Sequence, residues 1–88
     1  MFEFDPGKSA ANLAKHGIDF DQAQALWLDD RKVFGPTASP DEERWMLVAL
    51  LDGKLWSAVY TWRGEGIRLI SVRRSRQDEA WQYEHQTD

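Results

Sequence analysis

The stretch at residues 44–74, RWMLVALLDGKLWSAVYTWRGEGIRLISVRR, contains three strand-like runs separated by two turn signals. Residues 44–51 and 54–62 are joined by Asp52-Gly53, a pair that strongly favours the two-residue turn of a β-hairpin. A second turn with two glycines leads into the third run at residues 67–74. The stretch therefore predicts a three-stranded antiparallel meander.

A short strand and a helix are expected before the meander. Residues 2–4 alternate apolar and polar side chains, and Asp5 can then cap a helix whose first residue is Pro6. This helix should end at about His16, because Gly17 suits the left-handed residue that commonly follows a helix. The first helix is thus bounded at both ends.

Further elements complete an α+β pattern. Asp19 and Gln22 form a capping-box pattern at the start of a second helix, which should end at residues 29–30. Residues 33–34 are expected to form a short strand, and residues 35–43, with two prolines, a mobile loop. Ser75 is expected to cap a last short helix. We expect N-terminal helices packed on the meander.

Composition limits the classes of protein that this chain can represent. Its 88 residues suffice for one hydrophobic core, so we expect a single domain. The chain has no cysteine, which excludes a disulfide framework and a zinc site built on thiolates. We find no signal-peptide pattern and no apolar run of membrane-spanning length, so we expect a cytoplasmic protein without membrane contact.

Basic side chains are concentrated in the third run and its flanks, although the formal net charge is −4. One acidic residue, Glu65, accompanies five arginines in this part of the chain: Arg63, Arg68, Arg73, Arg74 and Arg76. Strict alternation along a strand places Arg68 and Arg73 on opposite faces. The arginines are either solvated strand charges or a phosphate-binding surface, since guanidinium groups match phosphate oxygens bidentately.

The first helix carries a second set of polar side chains. Lys8, Asn12, Lys15 and His16 are spaced to line one face of it. They form either a solvated face or a cationic surface. The two histidines, His16 and His85, are not spaced with carboxylates as metal ligands, and no glycine-rich phosphate loop is present. We therefore expect no metal and no cofactor.

Two groups of residues follow one another in a recognisable order and spacing. They are Glu3, Phe4, Asp5, Pro6, Lys8, Asn12, Lys15, His16, Gly17, Ile18, Phe20 and Ala23, and then Glu43, Arg44, Tyr60, Thr61, Arg63, residues 67–71, Arg73, Glu79 and Tyr83. In this arrangement the chain resembles the BrnT family. The resemblance implies a toxin of a type II toxin-antitoxin system with a RelE-like ribonuclease fold. It also implies a BrnA-like ribbon-helix-helix antitoxin that neutralises the toxin and represses their shared operon.

A ribonuclease that works without metal needs cations for the charge that grows on the phosphate, together with groups that transfer protons. Arg68 and Arg73 are the predicted phosphate clamps, assisted by Arg63 and Lys8. His16 is the predicted proton-transfer group, with Tyr60 and Lys15 as substitutes. Three residues are predicted to bind RNA: Lys15, Arg74 and Arg76.

The predicted activity is cleavage of RNA that inhibits translation. Alternatives are a non-catalytic RNA- or ribosome-binding module and a purely protein-binding subunit. The expected complex contains two toxins and two antitoxins, and the antitoxin supplies the contacts to operator DNA, because the net charge of this chain is unfavourable for binding DNA.

Overall fold

The computed structural model describes residues 1–38 and 43–86. Its elements in chain order are β1 (Phe2–Glu3), α1 (Pro6–His16), α2 (Phe20–Ala23), a 3₁₀ segment (Gln24–Leu28), β2 (Val33–Pro36), β3 (Trp45–Leu51), β4 (Lys54–Arg63), β5 (Gly66–Arg74) and α3 (Gln77–Glu84). The fold is α+β, as the sequence predicts. Part of the loop expected at residues 35–43 lies outside the described residues.

The five strands form one sheet in the order β1-β5-β4-β3-β2. Strands β3, β4 and β5 form the predicted antiparallel meander, with a strand added at each side. Strand β1 pairs with β5 in parallel, so the sheet is mixed. Strand β2 continues to Pro36, although the sequence predicts that the strand ends at Phe34. Proline is tolerated there because β2 is an edge strand.

The predicted start and end signals of the first helix and the predicted start signal of the second are confirmed. The Asp5 carboxylate accepts hydrogen bonds from the backbone N–H groups of Gly7 and Lys8, and Gly17 has φ 82°. Asp19 and Gln22 form a reciprocal capping box. The second helix differs from the prediction, because α2 ends at Ala23 and the chain continues as the 3₁₀ segment.

The hydrophobic core lies between one face of the sheet and the helical segments that precede β2. Its members are Ile18, Phe20, Ala23 and Leu26 from the helical side, and Leu47, Ala49, Trp56, Ala58, Tyr60, Leu69 and Val72 from the sheet. The short helix α3 lies on the other face and contains no buried residue. Within residues 1–38 and 43–86, no helix is long and apolar enough to span a membrane.

Asn12 departs from the polar face predicted for the first helix. Its side chain is buried, and its Nδ2 donates hydrogen bonds to the carbonyl oxygens of Ile18 and Val72, both at 2.8 Å. Its Oδ1 accepts from the backbone N–H of Val72 at 3.1 Å. Because β1 pairs only with the start of β5, the Asn12 amide takes the place of a strand neighbour for Val72. The predicted face is therefore wrong at this position.

We expect Asn12→Ala to lower the free energy of unfolding by about 2–3 kcal/mol, because the buried N–H and C=O of Val72 then lose their partner. Urea denaturation measures the change. The matched control is Ala11→Gln on the exposed side of the same helix, for which we expect a change within about 0.5 kcal/mol. Equal stability of Asn12→Ala and the parent chain would contradict this role.

The last helix begins one residue later than predicted. Arg76, and not Ser75, is its N-cap residue, and the backbone N–H of Arg76 donates to Oε1 of Glu79 at 2.9 Å. The Ser75 hydroxyl instead lies 2.8 Å from the hydroxyl of Ser57 on β4. The backbone N–H of Ser75 donates to the carbonyl oxygen of Leu55 on β4, so Ser75 is still bonded to the sheet. The predicted cap is therefore wrong.

Candidate functional site

A β-bulge interrupts the pairing of β4 with β5. Val59 lies opposite Ser71, whereas the next residue of β4, Tyr60, lies opposite Leu69. Ile70 is therefore an extra residue on β5 without an opposite neighbour. An extra residue reverses the alternation of the side chains that follow it. Consistent with this, Leu69 and Val72 both reach the core.

The bulge places two of the predicted arginines on the same face of the sheet. Arg68 lies opposite Thr61 and Arg73 lies opposite Ser57, and side chains directly opposite each other share a face. Thr61 and Ser57 are four residues apart on β4, which corresponds to about 13 Å along the strand. The expectation that Arg68 and Arg73 face opposite sides is therefore wrong, because strict alternation cannot include a bulge.

Arg63 lies at the end of β4 and has the same parity as Thr61, so it extends this face. We call the surface that carries Arg63, Arg68 and Arg73 the arginine face. It is opposite the face packed by Ala58 and Tyr60 in the core. Three of the five clustered arginines thus share one side of the sheet.

Arg73 is held by Glu79 of α3. Its Nη1 and Nη2 donate to the two carboxylate oxygens of Glu79, both at 2.8 Å, and Nη1 also donates to the carbonyl of Arg74 at 3.1 Å. The side chains are 21 % and 13 % exposed, respectively. Glu79 also accepts hydrogen bonds from the hydroxyl of Ser57 at 2.8 Å and the N–H of Arg76 at 2.9 Å. This cluster fixes α3 to the sheet.

The cluster shifts the pKa values of both partners. The hydrogen bonds from Arg73 lower the pKa of Glu79 to about 2, against the opposing effect of burial, and the bonds from Arg76 and Ser57 add to the decrease. The hydrogen bond to Glu79 raises the pKa of Arg73 above its usual range. Both groups are therefore charged throughout the physiological pH range.

We expect this cluster to lose its stabilising effect in acid. A carboxylate whose pKa is lower in the folded chain stabilises it above the unfolded-state pKa and less as the pH falls toward the folded value. The window for Glu79 runs from 4.5 down to about 2, and its contribution is at most about 3 kcal/mol. Urea denaturation across this window should show a smaller loss for Glu79→Gln than for the parent chain. Parallel curves would contradict the expectation.

Arg68 is less constrained than Arg73. Its Nη1 lies 3.3 Å from the carboxylate of Glu3 on β1, and the side chains are 34 % and 52 % exposed. An exposed ion pair of this length adds little stability and is readily exchanged for another anion. Arg63 is exposed at the β4–β5 turn, and its guanidinium has no hydrogen bond or ion pair within the described residues. Both guanidinium groups are accessible to a ligand.

Among the described residues, no hydrogen bond or ion pair joins the predicted site residues on α1 to the arginine face. Lys8 and Lys15 are exposed, and His16 is partly buried. Helix α1 contacts β5 through Asn12, whose partner Val72 faces the core. These predicted residues are therefore not part of the hydrogen-bond network of the arginine face.

Two of the remaining predicted residues, Tyr60 and Arg74, lie on the other side of the sheet. Tyr60 is buried in the core, where its ring makes edge contacts with Trp27 and Trp62, and burial raises the pKa of its hydroxyl. Arg74 faces the opposite side from Arg73, with its guanidinium 5.6 Å from the ring centre of Trp56. Arg76 is exposed at the start of α3.

Sequence reasoning did not assign a role to two residues of the cluster. Ser57 is a fully buried hydroxyl in the middle of an apolar strand, and Glu79 is the third residue of a helix. An isolated serine in a strand core signals a polar partner, because a buried hydroxyl needs a hydrogen bond. The identity of that partner depends on how α3 packs, which no local pattern reveals.

A further contact fixes the C-terminal end of α3. The hydroxyl of Tyr83 donates to Oδ2 of Asp29 at 2.6 Å, and the same oxygen accepts from the N–H of Leu50. Burial and the bond to Asp29 raise the pKa of Tyr83 to about 12. Among residues 1–38 and 43–86, no three histidine, aspartate or glutamate side chains are grouped so that they could hold a metal ion.

The sequence pattern that defines the ribonuclease toxins named BrnT, of type II toxin-antitoxin systems, matches residues 4–79. The chain belongs to this family. The match includes the whole meander and ends at Glu79, the partner of Arg73. A search of curated proteins found no match. Membership makes the chain a ribonuclease toxin whose type of system includes an antitoxin.

Proposed function

We propose that this chain, acting as a single domain, cleaves RNA on the arginine face without a metal ion and thereby inhibits translation. The observation that carries the proposal is the β-bulge at Ile70, which puts Arg68 and Arg73 on the same side of the sheet. Two arginines whose backbone positions are about 13 Å apart along the strand can contact successive parts of one RNA backbone. Family membership supports the choice of RNA as the substrate.

The proposed chemistry uses the RNA as its own nucleophile. The ribose 2′-oxygen forms a bond to the adjacent phosphorus while the bond from phosphorus to the 5′-oxygen breaks. The 2′-hydroxyl loses its proton and the leaving oxygen gains one, which yields a 2′,3′-cyclic phosphate and a 5′-hydroxyl. Negative charge grows on the phosphate during this step, and positioned arginines stabilise it.

In this proposal, Arg68 and Arg73 contact the reacting phosphate or its neighbour. Arg63 binds another part of the RNA backbone. We leave Tyr60 and Arg74 out of the proposed site because both face the other side of the sheet. His16 stays a prediction for proton transfer. Among the described residues, neither histidine forms a hydrogen bond or ion pair with the arginines of this face, so RNA would have to extend to α1 to use His16.

We also propose a cytoplasmic complex with a BrnA-like ribbon-helix-helix antitoxin, containing two copies of each protein. A type II system includes a protein antitoxin, which supports a protein partner. The net charge of −4 supports a division of labour in which the antitoxin binds operator DNA. Covering the arginine face would also neutralise the toxin.

We expect the isolated toxin to give no specific retardation of the DNA upstream of its operon, and the complex to retard it without cleaving RNA. Electrophoretic mobility shifts measure the DNA binding, with a scrambled DNA of equal length as the control, and gel analysis of a labelled RNA measures the cleavage. In the same assay series, Arg68→Glu should weaken antitoxin binding if the antitoxin covers the arginine face. Specific DNA binding by toxin alone would contradict the division of labour, and unchanged antitoxin affinity would contradict coverage of this face.

A further inference from the structure

We propose that Glu79 is a positioning residue that holds Arg73 in the orientation needed to bind the RNA phosphate. The inference rests on the proposed function, because it gives Arg73 a contact with the substrate. Glu79 has four hydrogen-bond donors around its carboxylate: the two Nη groups of Arg73, the hydroxyl of Ser57 and the N–H of Arg76. A carboxylate fixed in this way defines where the guanidinium lies.

The hydrogen bonds leave part of the Arg73 guanidinium available. A guanidinium carries five N–H bonds. Glu79 accepts two of them and the carbonyl of Arg74 accepts a third, all from Nη1 and Nη2. The Nε–H and the second N–H of Nη2 have no partner within the described residues. These two bonds point the same way and form the side-on fork, which can bind two phosphate oxygens.

The supports of Glu79 come from two separate elements. Ser57 is fully buried in the middle of β4, and Arg76 is the N-cap residue of α3. Glu79 therefore connects the helix, the strand and the guanidinium, and Arg73 is ordered before RNA arrives. An arginine that is already ordered loses less conformational freedom when it binds its ligand, and it presents its donors in a fixed direction.

The opposite role for Glu79 is that of a mask, in which its carboxylate excludes phosphate from Arg73. The geometry favours positioning, because Glu79 contacts the end of the guanidinium and leaves the side-on fork without a partner. The two roles predict opposite changes in rate. A mask lowers the activity of the parent chain, so its removal raises the cleavage rate, whereas removal of a positioning residue lowers it.

The test compares Glu79→Gln and Glu79→Ala with Glu84→Gln, a matched control on the exposed surface of the same helix. Each full-length variant is assayed for its single-turnover rate at saturating RNA and for its Kd toward an oligonucleotide with a 2′-deoxy residue at the cleaved position. We expect the Glu79 variants to cleave about 10- to 100-fold more slowly, the usual cost of a misplaced catalytic group. Their Kd should stay within about threefold of the parent value.

The same substitution in an Arg73→Ala background separates an indirect role from a direct one. If Glu79 acts through Arg73, then Glu79→Gln causes no further loss of rate once Arg73 is absent. An equal further loss would overturn the inference, as would a rate that rises or stays unchanged in the single variants. If the Glu79 variants do not fold by circular dichroism, Ser57→Ala removes one support of Glu79 and should lower the rate, again only when Arg73 is present.

Failure of the inference is distinguishable from failure of the proposed function. If Arg73→Ala cleaves RNA at the parent rate, then the proposed role of Arg73 is wrong whatever Glu79 does. If Arg73→Ala loses activity but the folded Glu79 variants keep it, then only the positioning role is wrong.

Discussion

Replacement of the ribose 2′-hydroxyl by hydrogen at the cleaved linkage is expected to stop cleavage there entirely. The reason is that this oxygen is the nucleophile of the proposed reaction. The measurement uses an oligonucleotide that carries one 2′-deoxy residue at the position cleaved in its all-ribose counterpart. Gel analysis should show the loss of that single product, while cleavage at other sites continues.

The ends of the products test the same chemistry. With the all-ribose control, cleavage in excess chelator should proceed at the rate seen without it and leave a 2′,3′-cyclic phosphate. A product with a 5′-phosphate would mean that water or another group attacks the phosphorus. Activity that chelator abolishes and magnesium restores would mean that a metal ion takes part. Either result contradicts the proposed mechanism.

Arg68→Ala and Arg73→Ala are each expected to lower the cleavage rate by about 10²-fold or more, the typical cost of removing a preorganised donor to a developing charge. Single-turnover rates at saturating RNA measure the effect. We expect Arg68→Ala to keep its fold, because the ion pair of Arg68 is exposed. Arg73→Ala leaves the Glu79 carboxylate without its main partner, so the rate of this variant is compared only after circular dichroism shows that it is folded. The matched control is Lys54→Ala, which removes one positive charge at the first residue of β4, on the face of the sheet opposite the arginine face.

The control excludes a general effect of charge, since Lys54→Ala changes the net charge by the same amount as each arginine variant. We expect its rate to stay within about threefold of the parent rate. Parent-like rates for both arginine variants, with intact folds by circular dichroism, would show that the arginine face is not where RNA is cleaved.

Local signals in the sequence were sufficient for most of the fold. The hairpin at Asp52-Gly53, the cap at Asp5 and the left-handed residue Gly17 were all predicted, and the structure confirms them. Each of these features depends on residues close together in the chain, where side-chain chemistry determines the backbone conformation. Such features can be predicted without knowledge of distant contacts.

The bulge at Ile70 could not be predicted in the same way. Nothing in the run around Ile70 distinguishes a bulge from a regular strand, because Leu69, Ile70 and Val72 are all apolar. The bulge is defined by the partners of β5 on its two sides. On one side β4 pairs with β5 in a register that skips Ile70, and on the other Asn12 binds the backbone of Val72. Its effect on the site is large, since it decides which arginines share a face.

The polar clusters depend even more on long-range packing. Asn12 has the spacing of a solvated helical face, yet its partner Val72 is sixty residues away in the sequence. Glu79 contacts Arg73 only because α3 folds back over the sheet. Helical periodicity indicates which side chains lie together on one element, but it does not indicate which element covers them. The candidate site was therefore predictable in its arginines and not in their arrangement.

The most direct test of the arginine face compares the two neighbouring variants Arg73→Ala and Arg74→Ala. They remove the same charge from adjacent positions of one strand, on opposite faces of the sheet. The measurement is the single-turnover rate of RNA cleavage at saturating RNA for each folded variant. The account predicts a loss of about 10²-fold for Arg73→Ala and a rate within about threefold of the parent for Arg74→Ala. Equal losses for both, or a larger loss for Arg74→Ala, would contradict it.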